Sequence, residues 1–281
     1  NRLEVQENLN LKGDVDFGSG NIKFGGDVNI KGNVKSGFFV MAGGNINIGM
    51  NSEMSLLSAE KSIVIAQGVK GGGKAMLRAK ESIQLAFAER ATLLAVDNIS
   101  VKNAIFGCKV KCNGRLRLVG DKGYLVGGRI QAREGIEAQN IGSLSGSRTE
   151  VSFGQDYLIS DRIETEEREI DKIKVRLIKI DPEMKQAEKT ANKKILTKLR
   201  MEKVKLMKIM EKRSMRVFTL KERFEQHFPG EIVIRGDVFP GVVFESHGRR
   251  LDITQPDKAV KIIFNQETGM LEKHPLKESD N

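Results

Sequence analysis

The feature that most constrains the fold of this chain is a short apolar repeat. Pairs of aliphatic residues, separated by one polar residue, occur six times, and a weaker seventh repeat begins at Ile136. The pairs are Val28-Ile30, Ile46-Ile48, Ile63-Ile65, Ile83-Leu85, Ile99-Val101 and Leu116-Leu118. Successive pairs begin 16–20 residues apart, with a second apolar group between them. A unit this short cannot bury its own apolar face, so the repeat predicts parallel strands stacked around one continuous core.

Two kinds of β-solenoid compete for this repeat. A left-handed hexapeptide helix requires an aliphatic residue at every sixth position. That spacing holds at Val28, Val34, Val40 and Ile46 and fails at the next two positions, Ser52 and Ser58. The irregular repeat length favours a right-handed parallel β-helix, whose turns vary in length.

From about Asp156 the apolar period changes from that of a strand to that of a helix. Two apolar seams follow, with the spacing of three and four residues that is typical of packed helices. The seams are Ile163, Ile170, Ile173, Leu177 and Ile180, and then Ile195, Leu199, Leu206, Ile209, Val217, Leu220 and Phe224. Charged residues fill the other faces, so we expect an inserted antiparallel α-helical coiled-coil hairpin.

The tip of this hairpin has two interpretations. Asp181-Pro182 is typical of a helix start, because proline suits the first helical position. Arms of equal length instead require a turn near Thr190-Ala191-Asn192, with Pro182 only kinking the first helix. Both interpretations place the tip within residues 183–194.

After the hairpin the β pattern resumes, and the stretch GEIVIRGDVFPGVVFESHG repeats the order of apolar anchors and glycines in the first half. A returning segment of this kind would complete or cap the solenoid, whose open end otherwise exposes unpaired strand edges. The predicted division is 1–154 for the β-helix coils, 155–228 for the hairpin insertion, 229–275 for the return segment and 276–281 for a tail.

Several motifs suggest chemistry, but each is better explained by structure. Cys108 and Cys112 share one strand face with Val110, as small buried residues do, and two cysteines make no disulfide framework, which indicates a reducing cytoplasm. Residues 68–74 match G-x-x-x-x-G-K, but Ala75 replaces the Ser or Thr of a phosphate-binding loop and a strand-like pair follows. We therefore expect a glycine-rich turn there.

The ionisable residues form no reactive group in the sequence. His227, His247 and His274 lie in different contexts without metal-ligand or triad spacing, and His227 is placed at a helix end. The acidic residues of the repeats mostly fall at turns and give no same-face pair; they are Asp27, Glu53, Glu60, Glu81, Glu89 and Asp97. The sequence therefore assigns no catalytic, cofactor-binding or metal-binding residue, names no partner-binding residue and predicts no cofactor.

The formal net charge of +10 arises from interleaved Lys and Glu rather than from one basic run, which argues against a nucleic-acid binder. No stretch approaches the length of about 20 apolar residues that a membrane span requires. No signal peptide opens the chain, and an N-terminal domain is expected to precede it.

Two stretches carry a family resemblance: GQDYLISDRIETEEREIDKIK, and MEKRSMRVFTLKERFEQHFPGEIVIRGDVFPGVVFESHGRRLDI. Together with the preceding repeats they resemble the flagellar assembly protein A (FapA) family, a bacterial domain-of-unknown-function family. The resemblance implies a right-handed β-helix with an inserted coiled-coil hairpin, a cytoplasmic setting and a link to flagellar assembly or placement at the cell pole. It implies no catalytic residues.

These observations predict a non-enzymatic scaffold or adaptor that acts through protein–protein contacts, with flagellar or polar proteins as partners and homo-oligomerisation open. No small-molecule substrate is predicted. One alternative is a polymerising cytoskeletal solenoid that resembles bactofilins. The other is a carbohydrate-active β-helix enzyme, for which no carboxylate pair is found.

Overall fold

The computed structural model describes residues 7–121 and 123–276. Within those residues the chain forms two helices, α1 (Tyr157–Lys189) and α2 (Lys193–Phe224), and nineteen strands. The strands are β1 Asn8–Leu11, β2 Ile22–Phe24, β3 Asp27–Ile30, β4 Phe39–Ala42, β5 Ile46–Ile48, β6 Leu56–Ala59, β7 Ile63–Ala79, β8 Ile83–Ala95, β9 Ile99–Cys112, β10 Leu116–Leu118, β11 Tyr124–Ala132, β12 Gly135–Ala138, β13 Asn140–Ile141, β14 Thr149–Ser152, β15 Glu231–Val238, β16 Val242–Ser246, β17 Arg249–Asp252, β18 Asp257–Asn265 and β19 Met270–Pro275.

Parallel pairing stacks the strands into a β-solenoid of about eight turns, in which three rows of inward-facing residues line one core. Row 1 contains Leu9, Val28, Ile46, Ile63, Ile83, Ile99, Leu116, Ile136 and Ile232. Row 2 contains Val15, Val34, Ser52, Val69, Ala88, Ile105, Leu125, Ile141 and Val238. Row 3 contains Ile22, Val40, Leu57, Leu77, Leu93, Val110, Ile130, Val151 and Phe244. Each row runs along one of three sides, numbered here as its row.

The β-solenoid prediction is confirmed, and its repeat is confirmed in register. Every predicted anchor pair begins in row 1, and the second apolar group supplies row 3. Row 2 was missed. Ser52, which seemed to break the six-residue spacing, is a fully buried member of that row, and its hydroxyl lies 2.6 Å from that of Ser55. A hydroxyl whose hydrogen bond is made inside the core occupies an aliphatic position at little cost.

Side chains just before row 1 bind consecutive turns together. The carboxylate of Asp27 accepts a hydrogen bond from the backbone N–H of Asn45 (2.7 Å), and the side-chain oxygen of Asn45 accepts one from the N–H of Ser62 (3.2 Å). The same contact recurs between Asn98 and Arg115 at 2.8 Å. The Asn45 N–H holds the pKa of Asp27 below its ordinary value. This turn carboxylate is therefore occupied by the backbone of the next turn.

The strands after α2 close the stack. β15 pairs in parallel with β12, opposite Ile136, although 95 residues separate Ile136 from Ile232 along the chain. Its other edge pairs antiparallel with β18, while β16 pairs in parallel with β14 and antiparallel with β17. The edges that would receive another parallel turn are thus already paired at this end.

The contacts divide the chain into two compact units. The solenoid unit comprises the described residues up to Tyr157 and from His227 onward, and the helical unit comprises Leu158–Gln226. Each has its own apolar core. No helix among the described residues is both long enough and apolar enough to span a membrane.

Within the helical unit, α1 and α2 share two apolar clusters. One joins Ile159, Ile163 and Ile170 of α1 to Val217 and Leu220 of α2, and the other joins Ile180 and Ala187 to Leu199. Ion pairs such as Glu166 with Arg213, and Arg176 with Glu202, place the helices antiparallel.

The turn between the helices lies at Thr190–Asn192, which confirms the equal-arm interpretation. Helix α1 continues through Pro182 to Lys189, so a helix start at Asp181 is wrong. The Asn192 side chain instead caps α2, accepting a hydrogen bond from the N–H of Ile195 (3.1 Å). Ile195 was predicted in the seam but is half exposed; Leu196 packs there.

Candidate functional site

The outer face of α2 combines positive charge with exposed apolar side chains. The helix carries twelve Lys or Arg against three Glu, a formal net charge of +9, whereas α1 carries eight against nine acidic residues. Met201, Val204, Met215 and Phe218 are each more than half exposed. The two pairs lie 14 residues apart, close to four helical turns, so they share one face.

Ion pairs account for the charges that face α1. The carboxylate of Glu166 accepts hydrogen bonds from Arg213 (2.5 Å) and Arg216 (2.8 Å), and these bonds hold its pKa below the ordinary value, with Arg216 contributing most. Arg176 of α1 binds Glu202 of α2 at 2.8 Å. Much of the charge at the interface between the helices is therefore internally matched.

The remaining cations of α2 lie outside these pairs. Among the described residues, five lysines of this helix make no ion pair within 4 Å; they are Lys194, Lys198, Lys205, Lys208 and Lys212. A shallow depression of about 520 Å³ runs between them, and its lining is Arg200, Met201, Val204, Lys205, Lys208 and Ile209. A basic surface with apolar contacts can bind an acidic protein segment through both charge and burial.

The glycine-rich segment forms a turn in a strand, as expected. β7 runs through Lys74 and Ala75, and Met76 pairs with Leu56. Gly72 and Gly73 adopt φ of 52° and 81°, which lets four extra residues bulge out of the turn. A phosphate-binding loop instead requires a helix whose N-terminus points at the phosphates.

Both cysteines are buried, which confirms their interpretation as small core residues. Cys112 continues an inward column of small side chains, Ala42, Ala59, Ala79 and Ala95, and Cys108 follows Ala75 and Ala91 in another. Burial raises the pKa of Cys108, and it raises that of Cys112 to about 12. The thiols therefore stay protonated in the folded protein.

The prediction that the histidines lie in separate contexts is wrong for two of them. α2 ends at Phe224, so His227 lies beyond the helix, and the return strands bring His247 to it. The two ring centroids are 5.0 Å apart, and His247 stacks on Phe264 at 4.5 Å. Ser246 Oγ lies 2.8 Å from His247 Nδ1. The described residues contain no group of three or more His, Cys, Asp or Glu that could hold a metal ion.

This histidine pair gives the solenoid unit a pH dependence. Burial lowers the pKa of His227, and within the described residues its Nδ1 is buried without a hydrogen-bond partner. The folded state thus favours the neutral ring, so stability is complete above the unfolded pKa of about 6.5 and falls as the pH drops below it. His227→Phe is expected to remove about half of the loss in urea midpoint between pH 7.5 and 5.5.

The matched control is His274→Phe, which replaces a half-exposed imidazole on β19. The carboxylates titrate mostly below this window, since their unfolded pKa values lie near 4. A wild-type loss that persists unchanged in His227→Phe would contradict the assignment.

A family model described as the Flagellar Assembly Protein A beta solenoid domain matches residues 7–269. The match covers the solenoid turns, both helices and most of the return strands. No curated protein and no solved structure gives a significant match.

Proposed function

Because the chain belongs to the Flagellar Assembly Protein A family, as the match over nearly its whole length shows, we propose that it is a non-enzymatic scaffold linked to flagellar assembly or to polar placement. It acts in the cytoplasm through protein–protein contacts. The observation that carries the proposal is the outer face of α2, where unpaired lysines surround exposed methionine and phenylalanine side chains.

The finer architecture belongs to the same proposal. The solenoid is a right-handed β-helix, and the helical unit is a coiled-coil hairpin that works as the partner-binding module, with residues 155–228 as its domain. Two shared apolar clusters and the antiparallel ion pairs support the coiled coil. A module with its own core can present a binding surface without disturbing the turns into which it is inserted.

The end of the stack weighs against polymerisation of the bactofilin kind. End-to-end growth would add a parallel turn to β15 and β16, but the free edges of these strands pair with β18 and β17. Paired edges offer no backbone groups to a second subunit.

Deleting residues 158–226 tests the proposal. With a short Gly-Ser linker from Tyr157 to His227, the protein is expected to keep its β circular dichroism but to lose partner capture. Capture is measured by crosslinking and quantitative mass spectrometry in a flagellated host. Capture that is unchanged by the deletion would rule out the helical unit as the binding module.

A charge-reversal variant separates binding from folding. K194E, K205E and K208E together alter only outward positions of α2, so helix content should persist while capture falls by about tenfold or more. The control reverses exposed lysines of α1, K172E and K185E, at positions away from the outer face of α2. Equal losses in both variants would contradict a specific role for α2.

A further inference from the structure

Two sides of the solenoid unit differ in the chemistry that they expose. On side 1 the outward residues of the first turns are polar and bonded to one another. The Nδ2 of Asn29 donates to Asn10 Oδ1 (2.9 Å), and the Nδ2 of Asn47 donates to Asn29 Oδ1 (2.8 Å). Further along, Arg117 forms an ion pair with Glu137 at 3.4 Å. This side makes its own polar contacts.

Side 3 exposes large apolar residues at the corresponding turns. Phe39 pairs with Leu56, Leu56 pairs with Met76, and Met41 points outward from the same strand as Phe39. We call these four residues the apolar flank. Leu56, Met41 and Met76 are 37–40 % exposed, although the neighbouring positions show that the same backbone accepts polar side chains. A contiguous apolar patch of this kind is typical of a binding surface.

The flank borders a concave surface. A depression of about 530 Å³ lies next to it, lined by Lys23, Phe24, Met41, Ala42, Ser58 and Glu60. That volume suits one or two side chains of a bound chain. A planar bilayer surface would not fill it, so the shape favours a protein segment.

The charges around the flank are mainly positive. In the outward rows of side 3, Lys23 is aligned with Met41 and Arg78 with Ser58, while Lys109 follows Thr92. None of these three cations forms an ion pair among the described residues. The acidic groups nearby are engaged, since Glu60 pairs with Lys80, and Glu150 pairs with Arg129 and Arg148.

We propose that side 3 is a second docking surface, which binds an acidic segment of a partner protein that carries a large apolar residue. The apolar residue packs on Met41 and Leu56 and enters the depression. Its neighbouring Asp or Glu side chains face Lys23 and Arg78. Apolar anchoring at the centre with charge complementarity at the rim is the usual organisation of such interfaces. The site is separate in sequence and chemistry from the α2 surface.

The test uses the full chain and an unbiased probe. A displayed library of random 12-residue peptides is selected on the immobilised protein, and the most enriched peptide is synthesised with a fluorophore. Enriched sequences should combine acidic residues with Phe, Leu or Met. Fluorescence anisotropy should show affinity reduced about tenfold or more by Leu56→Glu with Met76→Glu, and a smaller reduction by Arg78→Gln.

The matched control places the same charge on side 1. Gln84→Glu occupies an exposed outward position, and should leave the affinity unchanged. Failure to enrich acidic apolar peptides, or equal binding by the flank variant, overturns the proposal. So does flotation with phosphatidylglycerol vesicles, or a self-association, that depends on Leu56. The flank variants leave the helical unit intact, so partner capture through α2 should persist whichever result is found.

Discussion

Replacing Ile232 by aspartate is expected to destabilise the solenoid unit by about 4 kcal/mol or more, which is a large share of the stability of an ordinary domain. Ile232 is fully buried, follows Ile136 in row 1, and pairs on its other edge with Ile262. A carboxylate there would have neither a cation nor water as partner. Urea unfolding followed by circular dichroism near 218 nm should show a lower midpoint, or no folded baseline.

The control for this substitution is Gln84→Asp, which introduces the same side chain at an exposed outward position of side 1. Its cost should stay within about 0.5 kcal/mol, apart from a small loss of strand propensity. Similar losses for both variants would mean that the return strand contributes little to the core. The comparison thus measures whether the chain after α2 is an integral turn of the solenoid.

The solenoid could be predicted because its signal is local and repeated. Each pair such as Ile63-Ile65 marks one turn, and stacking then fixes the register. Row 2 gave no comparable signal. Its members stand singly at a corner of each turn, and two of them, Ser52 and Ala88, are not large aliphatic residues. A polar residue in a core row is recognised only once its partner, here Ser55, is placed beside it.

Contacts between distant segments were the least predictable. The stacked His227 and His247 come from the two sides of the return strands, and no sequence spacing indicates that their rings meet. The apolar flank has the same origin, since Phe39, Leu56 and Met76 are 17 and 20 residues apart and become neighbours only through stacking. The seams of α1 and α2 were predictable because helical periodicity is local, with Ile195 lost at the capped first turn.

The last prediction concerns the glycine at which the return strand docks. Gly135 has a φ of 98°, a region that side-chain-bearing residues rarely adopt. A Cβ built there would lie 1.7 Å from the carbonyl oxygen of Glu231 and 2.6 Å from its carbonyl carbon. Both contacts are with backbone, so no side-chain rotation can relieve them. Gly135→Ala is therefore expected to cost about 3 kcal/mol or more and to loosen the pairing of β12 with β15.

Hydrogen–deuterium exchange locates this effect. The amides of β12, β15 and β18 should lose protection first, while those of the early turns, such as β3 and β5, keep theirs, because a repeat array couples mainly between neighbours. Gly13→Ala is the matched control, since no heavy atom beyond its chain neighbours lies within 4 Å of the added Cβ and its φ is not positive. If Gly135→Ala is no more costly than Gly13→Ala, the close approach of Glu231 to Gly135 is not a requirement of the fold.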